Sequence, residues 1–137
     1  MVKEIILASK SGVRKKILEE NNIQCRVEPS SVDEDNIKES LLREGASPTI
    51  ISKNLAELKA NKISQKFTEE MVLGADSVID LGGEIISKPN DREEALEILK
   101  KINGKTHQLI SSVCISRGGS MIWNYTDKAS LTMKNMT

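Results

Sequence analysis

The sequence predicts an α/β domain, and three observations carry that reading. A short continuous apolar run, Ile5-Ile6-Leu7-Ala8, is what a buried parallel strand requires. Segments with apolar residues at helical spacing follow it and recur further along the chain. Between them lie strand-like segments, the most apolar being Val72 to Ile79, which carries a single acid, Asp76. At 137 residues the chain fits one domain, 1–137, and is long enough to bury a core.

The first strand is broken by Ser9-Lys10-Ser11-Gly12, after which Val13, Ile17 and Leu18, separated by Arg14, Lys15 and Lys16, describe an amphipathic helix ending near Asn21-Asn22. A strand, a small polar loop and a helix N-terminus together present free backbone N–H groups and the positive end of a helix dipole, which can hold a phosphate. Ser9 and Ser11 add hydroxyls and Arg14 a cation, although Ser11 also suits a plain N-cap. Residues 23–29 alternate and read as a second strand. The acidic stretch Ser31 to Asp35 is a solvated loop, a helix start, or a source of oxygen ligands for a hard divalent ion, with Glu34 the candidate ligand.

Ser47-Pro48 opens a long helix over 48–66, with Ile51, Leu55, Leu58, Lys62 and Ile63 at helical spacing. Lys59 lies beside this stripe, placed either to snorkel to water or to reach a phosphate. Asp76, among Val72, Leu73, Ala75, Val78 and Ile79, is costly to bury unpaired, so it needs a lysine or a metal ion, or else it faces water at an edge. A Gly82-Gly83 turn and a short return strand then deliver Lys88 just before Pro89. Asn90-Asp91 followed by Glu93-Glu94 opens a further helix with a face of Ala95, Leu99 and Ile102 and Gly104 at its end. His107 begins a strand through Ile115 and is expected to be a structural histidine bonded to nearby backbone. Arg117 to Ser120 is a hairpin turn into a last strand, Met121 to Met133.

Twenty basic and twenty acidic side chains cancel, so no overall field draws the chain to nucleic acid or to an anionic membrane. With Phe67, Trp123 and Tyr125 as the whole aromatic complement, a base-stacking nucleic-acid platform has no material. Cys25 and Cys114 lack C-x-x-C spacing and are expected to be buried free thiols. A lone histidine excludes a histidine-rich zinc site. The short apolar run near the N-terminus does not make a signal peptide, and no segment is long enough to span a membrane, which together point to the cytoplasm.

Several motifs, in order along the chain, resemble those of the Maf-like nucleoside triphosphate pyrophosphatases, a family named for a septum-formation protein. Leu7-Ala-Ser-Lys-Ser11 with Arg14 is similar to the family's opening L-A-S-x-S-P-R-R, with Gly12-Val13-Arg14 where that signature has P-R-R. Val32-Asp-Glu34, Leu55-Ala-Glu-Leu-Lys59-Ala60, Gly74-Ala-Asp76-Ser-Val78, Lys88-Pro89 and Asn103-Gly-Lys-Thr-His107 are similar to V-D-E, L-A-x-x-K-A, G-A-D-T-V, the lysine-proline pair and S-G-x-x-H. The resemblance implies a twisted mixed sheet flanked by helices around a central cleft, as in the inosine-triphosphate pyrophosphatases. It also implies hydrolysis of a nucleoside triphosphate to the monophosphate and pyrophosphate with Mg²⁺ or Mn²⁺. Residue by residue, it makes Asp76 the general base near metal and water, and Glu34 part of the metal environment. Lys59, Lys88 and Arg14 would hold and neutralise the phosphates and Ser9 would form the phosphate loop, where the residue pattern adds Ser11 as a further phosphate-binding candidate. It further implies a possible homodimer, a pyrimidine preference (dTTP or UTP) over 7-methyl-GTP, and a C-terminal segment beyond Thr137, so the chain is expected to be C-terminally incomplete. The competing reading is a catalytically weak nucleotide-binding regulator of division, in keeping with the family name and the single arginine.

Overall fold

The computed structural model describes residues 4–9, 12–86 and 91–134, without the side chains of Gly12 and Val13. Ser11 and Lys88 therefore lie outside the described residues. The elements run β1 (Ile5–Leu7), α1 (Gly12–Glu20), β2 (Cys25–Val27), α2 (Glu34–Arg43), α3 (Pro48–Ser64), β3 (Val72–Leu81), β4 (Glu84–Ile86), α4 (Arg92–Ile102), β5 (Thr106–Arg117) and β6 (Ser120–Thr132). This is the expected α/β class, with one mixed sheet in the order β2-β1-β3-β5-β6 and β4 attached to β3.

Helix starts follow local chemistry. The carboxylate of Asp33 accepts from the Asn36 N–H, the hydroxyl of Ser47 from Ile50, and the carboxylate of Asp91 from Glu94, each satisfying an otherwise orphaned first-turn donor. Helix α1 ends where Asn22 adopts φ of 61°, a left-handed conformation asparagine tolerates, and the Ile23 N–H closes back on the Leu18 carbonyl. Gly82 and Gly83, both at positive φ, turn β3 into β4, with Asp80 Oδ1 accepting from the Gly83 N–H.

The core lies where α3 covers the sheet. Ile6, Ala8, Ala56, Ala60, Ile63, Val72 and Cys114 form one buried cluster, with Phe67 and Met121 packed against it. Helix and strand meet most closely at Gly74. A Cβ there would stand 2.3 Å from the Ala56 carbonyl oxygen and 2.8 Å from the Ala60 nitrogen, so only glycine admits α3 at this distance.

Strand β3 positions the site because its two ends pair differently. β1 runs parallel to it only at Val72 and Leu73, and β4 pairs antiparallel only from Ile79 to Leu81. On the other side β5 follows it continuously from Val72 to Asp80. Between the end of β1 and β4 the edge of β3 is therefore open around Asp76. A divergence of neighbouring strands beyond a carboxyl end is where open α/β sheets form ligand crevices.

Several expectations are adjusted. The second strand covers only Cys25–Val27, at the sheet edge, so Cys25 is half-buried rather than buried. Leu58 and Leu99 are exposed, and the inner side of α4 is Ala95, Ile98 and Ile102 instead. His107 is buried, but its Nδ1 has no hydrogen-bond partner, so the backbone bond expected there is not made by that atom. Among the described residues no helix is long and apolar enough to cross a membrane.

Candidate active site

A cleft of about 1080 Å³ opens at the gap beside β3. Its walls include Ala8 and Ser9 after β1, Arg14 of α1, Glu34 and Lys38 of α2, Lys59 of α3, and Asp76 and Ser77 of β3. The far end is lined by Ile79, Ile85, Ile86, Ile98 and Leu109, with Glu84, Glu94, Glu97 and Lys101 at the rim. One end is thus built of cations around a single buried acid, and the other of aliphatic side chains under carboxylates.

Asp76 is the electrostatic centre. It is 6% exposed, and its Oδ2 is buried without a hydrogen-bond partner. Its other oxygen, Oδ1, accepts from Lys59 Nζ at 3.3 Å, and the same ammonium donates to the Ala75 carbonyl at 3.3 Å. Lys59 also pairs with Glu34 Oε1, so one ammonium of α3 ties a strand carboxylate to a helix carboxylate. Burial pushes the Asp76 carboxyl above its ordinary value, opposed mainly by the charges of Lys59 and Lys38. The strand is fixed at this point from α3 as well, because the Ser52 hydroxyl donates to the Asp76 carbonyl at 3.1 Å.

Lys59 reaches this position because α3 lies directly on Gly74, two residues before Asp76. Residues 74 and 76 share a face of the strand, and the close approach that Gly74 permits brings the helix and its lysine down onto the acid. At the other wall, Arg14 Nη1 donates to Ser9 Oγ at 3.0 Å, fixing the guanidinium of the first helix turn against the loop after β1.

Of the residues singled out from the sequence, Ser9, Arg14, Glu34, Lys59 and Asp76 line one cleft. Lys59 is neither snorkelled nor free: its side chain is 11% exposed and committed to two carboxylates. Asp76 does not face water, and the lysine it meets is Lys59, while Lys88 falls outside the described residues. Glu34 and Asp76, the two carboxylates expected of a metal environment, both pair with Lys59. Among the described residues no group of three or more Asp, Glu, His or Cys side chains is placed to hold a metal ion. Lys38 was missed. Its signal was present as the cation one helical turn after Glu34, but only a helix over residues 34–43 turns it toward the cleft.

The thiol of Cys114 is buried and pushed up to about 11, chiefly by desolvation, which makes it an inert core residue.

The family of Maf-like proteins matches residues 4–137. The chain belongs to the Maf-like family. It is 90% identical over its whole length, and over 70% of the relative's, to the nucleoside triphosphate pyrophosphatase of Pelagibacter ubique. A protein of the same description from a Ruegeria species is 45% identical over 98% of the chain and 67% of its own length. A 7-methyl-GTP pyrophosphatase of Brucella abortus is 38% identical over 99% of the chain and 68% of its own length. Among solved structures, a dITP/XTP pyrophosphatase from Mycobacterium abscessus matches with a TM-score of 0.62 at 13% identity, covering 95% of this chain and 74% of that one. The Ham1 protein of Staphylococcus aureus matches with a TM-score of 0.56 at 15% identity, covering 95% and 70%. At such identities these two establish a shared fold, a mixed sheet flanked by helices, in agreement with the expected architecture.

Proposed function

We propose that this Maf-like protein is a nucleoside triphosphate pyrophosphatase, cleaving its substrate between the α and β phosphates to give a nucleoside monophosphate and pyrophosphate. The observation that carries the reading is the buried Asp76 carboxylate, with one oxygen held by Lys59 and the other unpartnered, at the cationic end of a nucleotide-sized cleft. The pyrophosphatase names of the relatives support it.

In this reading the triphosphate lies toward Ser9, Arg14 and Lys59, and the nucleoside extends toward Ile79, Ile98 and Leu109. Water attacks the α-phosphorus and its proton passes to Asp76 Oδ2. The bond from that phosphorus to the bridging oxygen breaks, and the negative charge leaves on pyrophosphate. A carboxyl whose affinity for protons is raised by burial is a better base than a solvated one. Lys59 and Arg14 offset charge on the phosphates, the main task the protein has in such a reaction. Lys88 and Ser11 retain the phosphate roles that their motifs imply.

A hard divalent cation fits the donors present. Glu34 and Asp76 offer carboxylate oxygens and together exceed Lys59 by one negative charge. These two residues would hold Mg²⁺ or Mn²⁺, the remaining ligands being phosphate and water, and the ion would supply charge neutralisation across the phosphates.

The test is a panel of nucleoside triphosphates including dTTP, UTP and 7-methyl-GTP, assayed for pyrophosphate with Mg²⁺ or Mn²⁺. The expected result is release from at least one nucleotide, reduced about 10²- to 10⁴-fold in Asp76→Asn. Nucleotide binding with no pyrophosphate release by the wild-type chain would refute the enzyme and favour a regulator.

A further inference from the structure

Lys59, the cation nearest Asp76, already has its charge balanced by two carboxylates. A triphosphate entering the cleft therefore gains from positive groups beyond Lys59. Lys38 is half-buried on the second turn of α2 and lines the cleft with Ser9, Arg14, Lys59 and Asp76. Its charge favours the Asp76 anion, in keeping with its place in the wall of the same cleft. The acid one turn before it, Glu34, is in the favourable arrangement for a helical ion pair, glutamate four residues ahead of lysine. That pair is not made, because Glu34 turns to Lys59. Among the described residues Lys38 forms no ion pair, whereas Lys15, Arg26, Arg43 and Lys101 all do on the open surface.

We propose that Lys38 is a phosphate-binding residue of the cleft, presented from α2 opposite the β3 wall and left unpaired by the diversion of Glu34 to Lys59. The proposal rests on the triphosphate reading of the cleft. It assigns α2 two opposite charges with different duties: Glu34 pairs with Lys59 and would hold the cation with Asp76, and Lys38 meets the anionic substrate. A partly buried ammonium facing phosphate in a cleft makes a charge-assisted contact of the stronger kind.

Wild type, Lys38→Met and Lys38→Arg are compared by calorimetric binding of inorganic tripolyphosphate, and by pyrophosphate release from the best nucleotide of the panel. Methionine keeps the aliphatic stem and the helix propensity. The expected result for Lys38→Met is tripolyphosphate binding weakened about tenfold or more, KM raised to match and kcat within about threefold, with most of the loss restored in Lys38→Arg. Unchanged tripolyphosphate affinity in Lys38→Met overturns the proposal and leaves the pyrophosphatase reading standing. Weakened tripolyphosphate binding in a chain that releases no pyrophosphate supports Lys38 and overturns the enzyme. Wild type that binds neither tripolyphosphate nor nucleotide overturns both. Equal loss in Lys38→Met and Lys38→Arg also overturns it, since a purely structural lysine would behave that way.

Discussion

Helices α2 and α3 face the same cleft and are built on opposite terms. Helix α3 buries Ile51, Ser52, Leu55, Ala56, Ala60, Ile63 and Ser64 and rests on the backbone at Gly74. Helix α2 buries no residue. What ties its end of the chain to the body at the cleft is polar: the Glu34 pair with Lys59 and the bond from Lys62 Nζ to the Ser31 carbonyl. The Asp76–Lys59 geometry is thus fixed by packing, while the Glu34 and Lys38 contribution is held by charge. Asp76 and Lys59 thus sit on packed elements, and the α2 wall on few buried contacts. The comparison can be broken from either side.

The largest effect is expected from the packed side. Gly74→Val places a branched side chain where the Ala56 carbonyl stands, and backbone cannot move aside cheaply. A loss above the usual 1–3 kcal/mol of overpacking, about 4 kcal/mol, is expected from denaturant midpoints, with loss of activity in any fraction that folds. A midpoint shift smaller than that of an α2 substitution would show that α3 does not rest on Gly74.

Next in size is Lys59→Met, which leaves the buried Asp76 carboxylate without its cation, at a cost of about 3 kcal/mol at neutral pH. The cost depends on pH in a defined direction. Burial raises the folded-state Asp76 carboxyl above its ordinary 3.8, so the folded chain holds the proton more tightly than the unfolded one. With respect to this group, stability is greatest near and below pH 3.8 and is lost as pH rises through the raised value. Without Lys59 that value rises further, so the deficit of Lys59→Met against wild type should shrink on acidification. Asp76→Asn removes the titrating group, and in the same melts it should be at least as stable as wild type at neutral pH while losing activity. A Lys59→Met deficit independent of pH would mean that Asp76 is not the charge left uncompensated.

How much of this was legible in the sequence follows the same division. The packed elements announced themselves: Ile5 to Ala8 as a buried strand, Ser47-Pro48 as a helix start, and Val72 to Ile79 as a strand with an expensive acid. The need for an ion to compensate Asp76 was also legible, because it follows from burial alone. That the ion is Lys59 was not, since it depends on α3 meeting Gly74 across a contact no periodicity reveals. The position of the cleft was likewise hidden, because it arises where β1 stops pairing with β3 and β4 begins, a matter of register between distant segments. Helix α2 was the weakest signal, read only as a loop or a helix start at Ser31 to Asp35. Its apolar face is short, Ile37 and Leu41 half-buried and no residue fully buried, and Lys38 was lost with it.

The smallest effect should come from the charge-held side, and it separates α2 from α3 most cleanly. The Asp33 carboxylate accepts from the Asn36 N–H at 3.1 Å, and with no core beneath α2 this cap is a large share of what specifies where the helix starts. Asp33→Ala should cost about 1 kcal/mol, but locally. Amide exchange should quicken over residues 34–43 and remain unchanged over the buried turns of α3, because α2 has no fully buried residue and its local opening exposes only the half-buried Ile37 and Leu41. Adding tripolyphosphate should restore protection in α2 if its charges close on phosphate, since a ligand that contacts only the closed helix shifts that equilibrium toward it. Exchange that quickens in both helices together would instead make α2 and α3 one cooperative unit, and the distinction between the packed and the charge-held walls would fail.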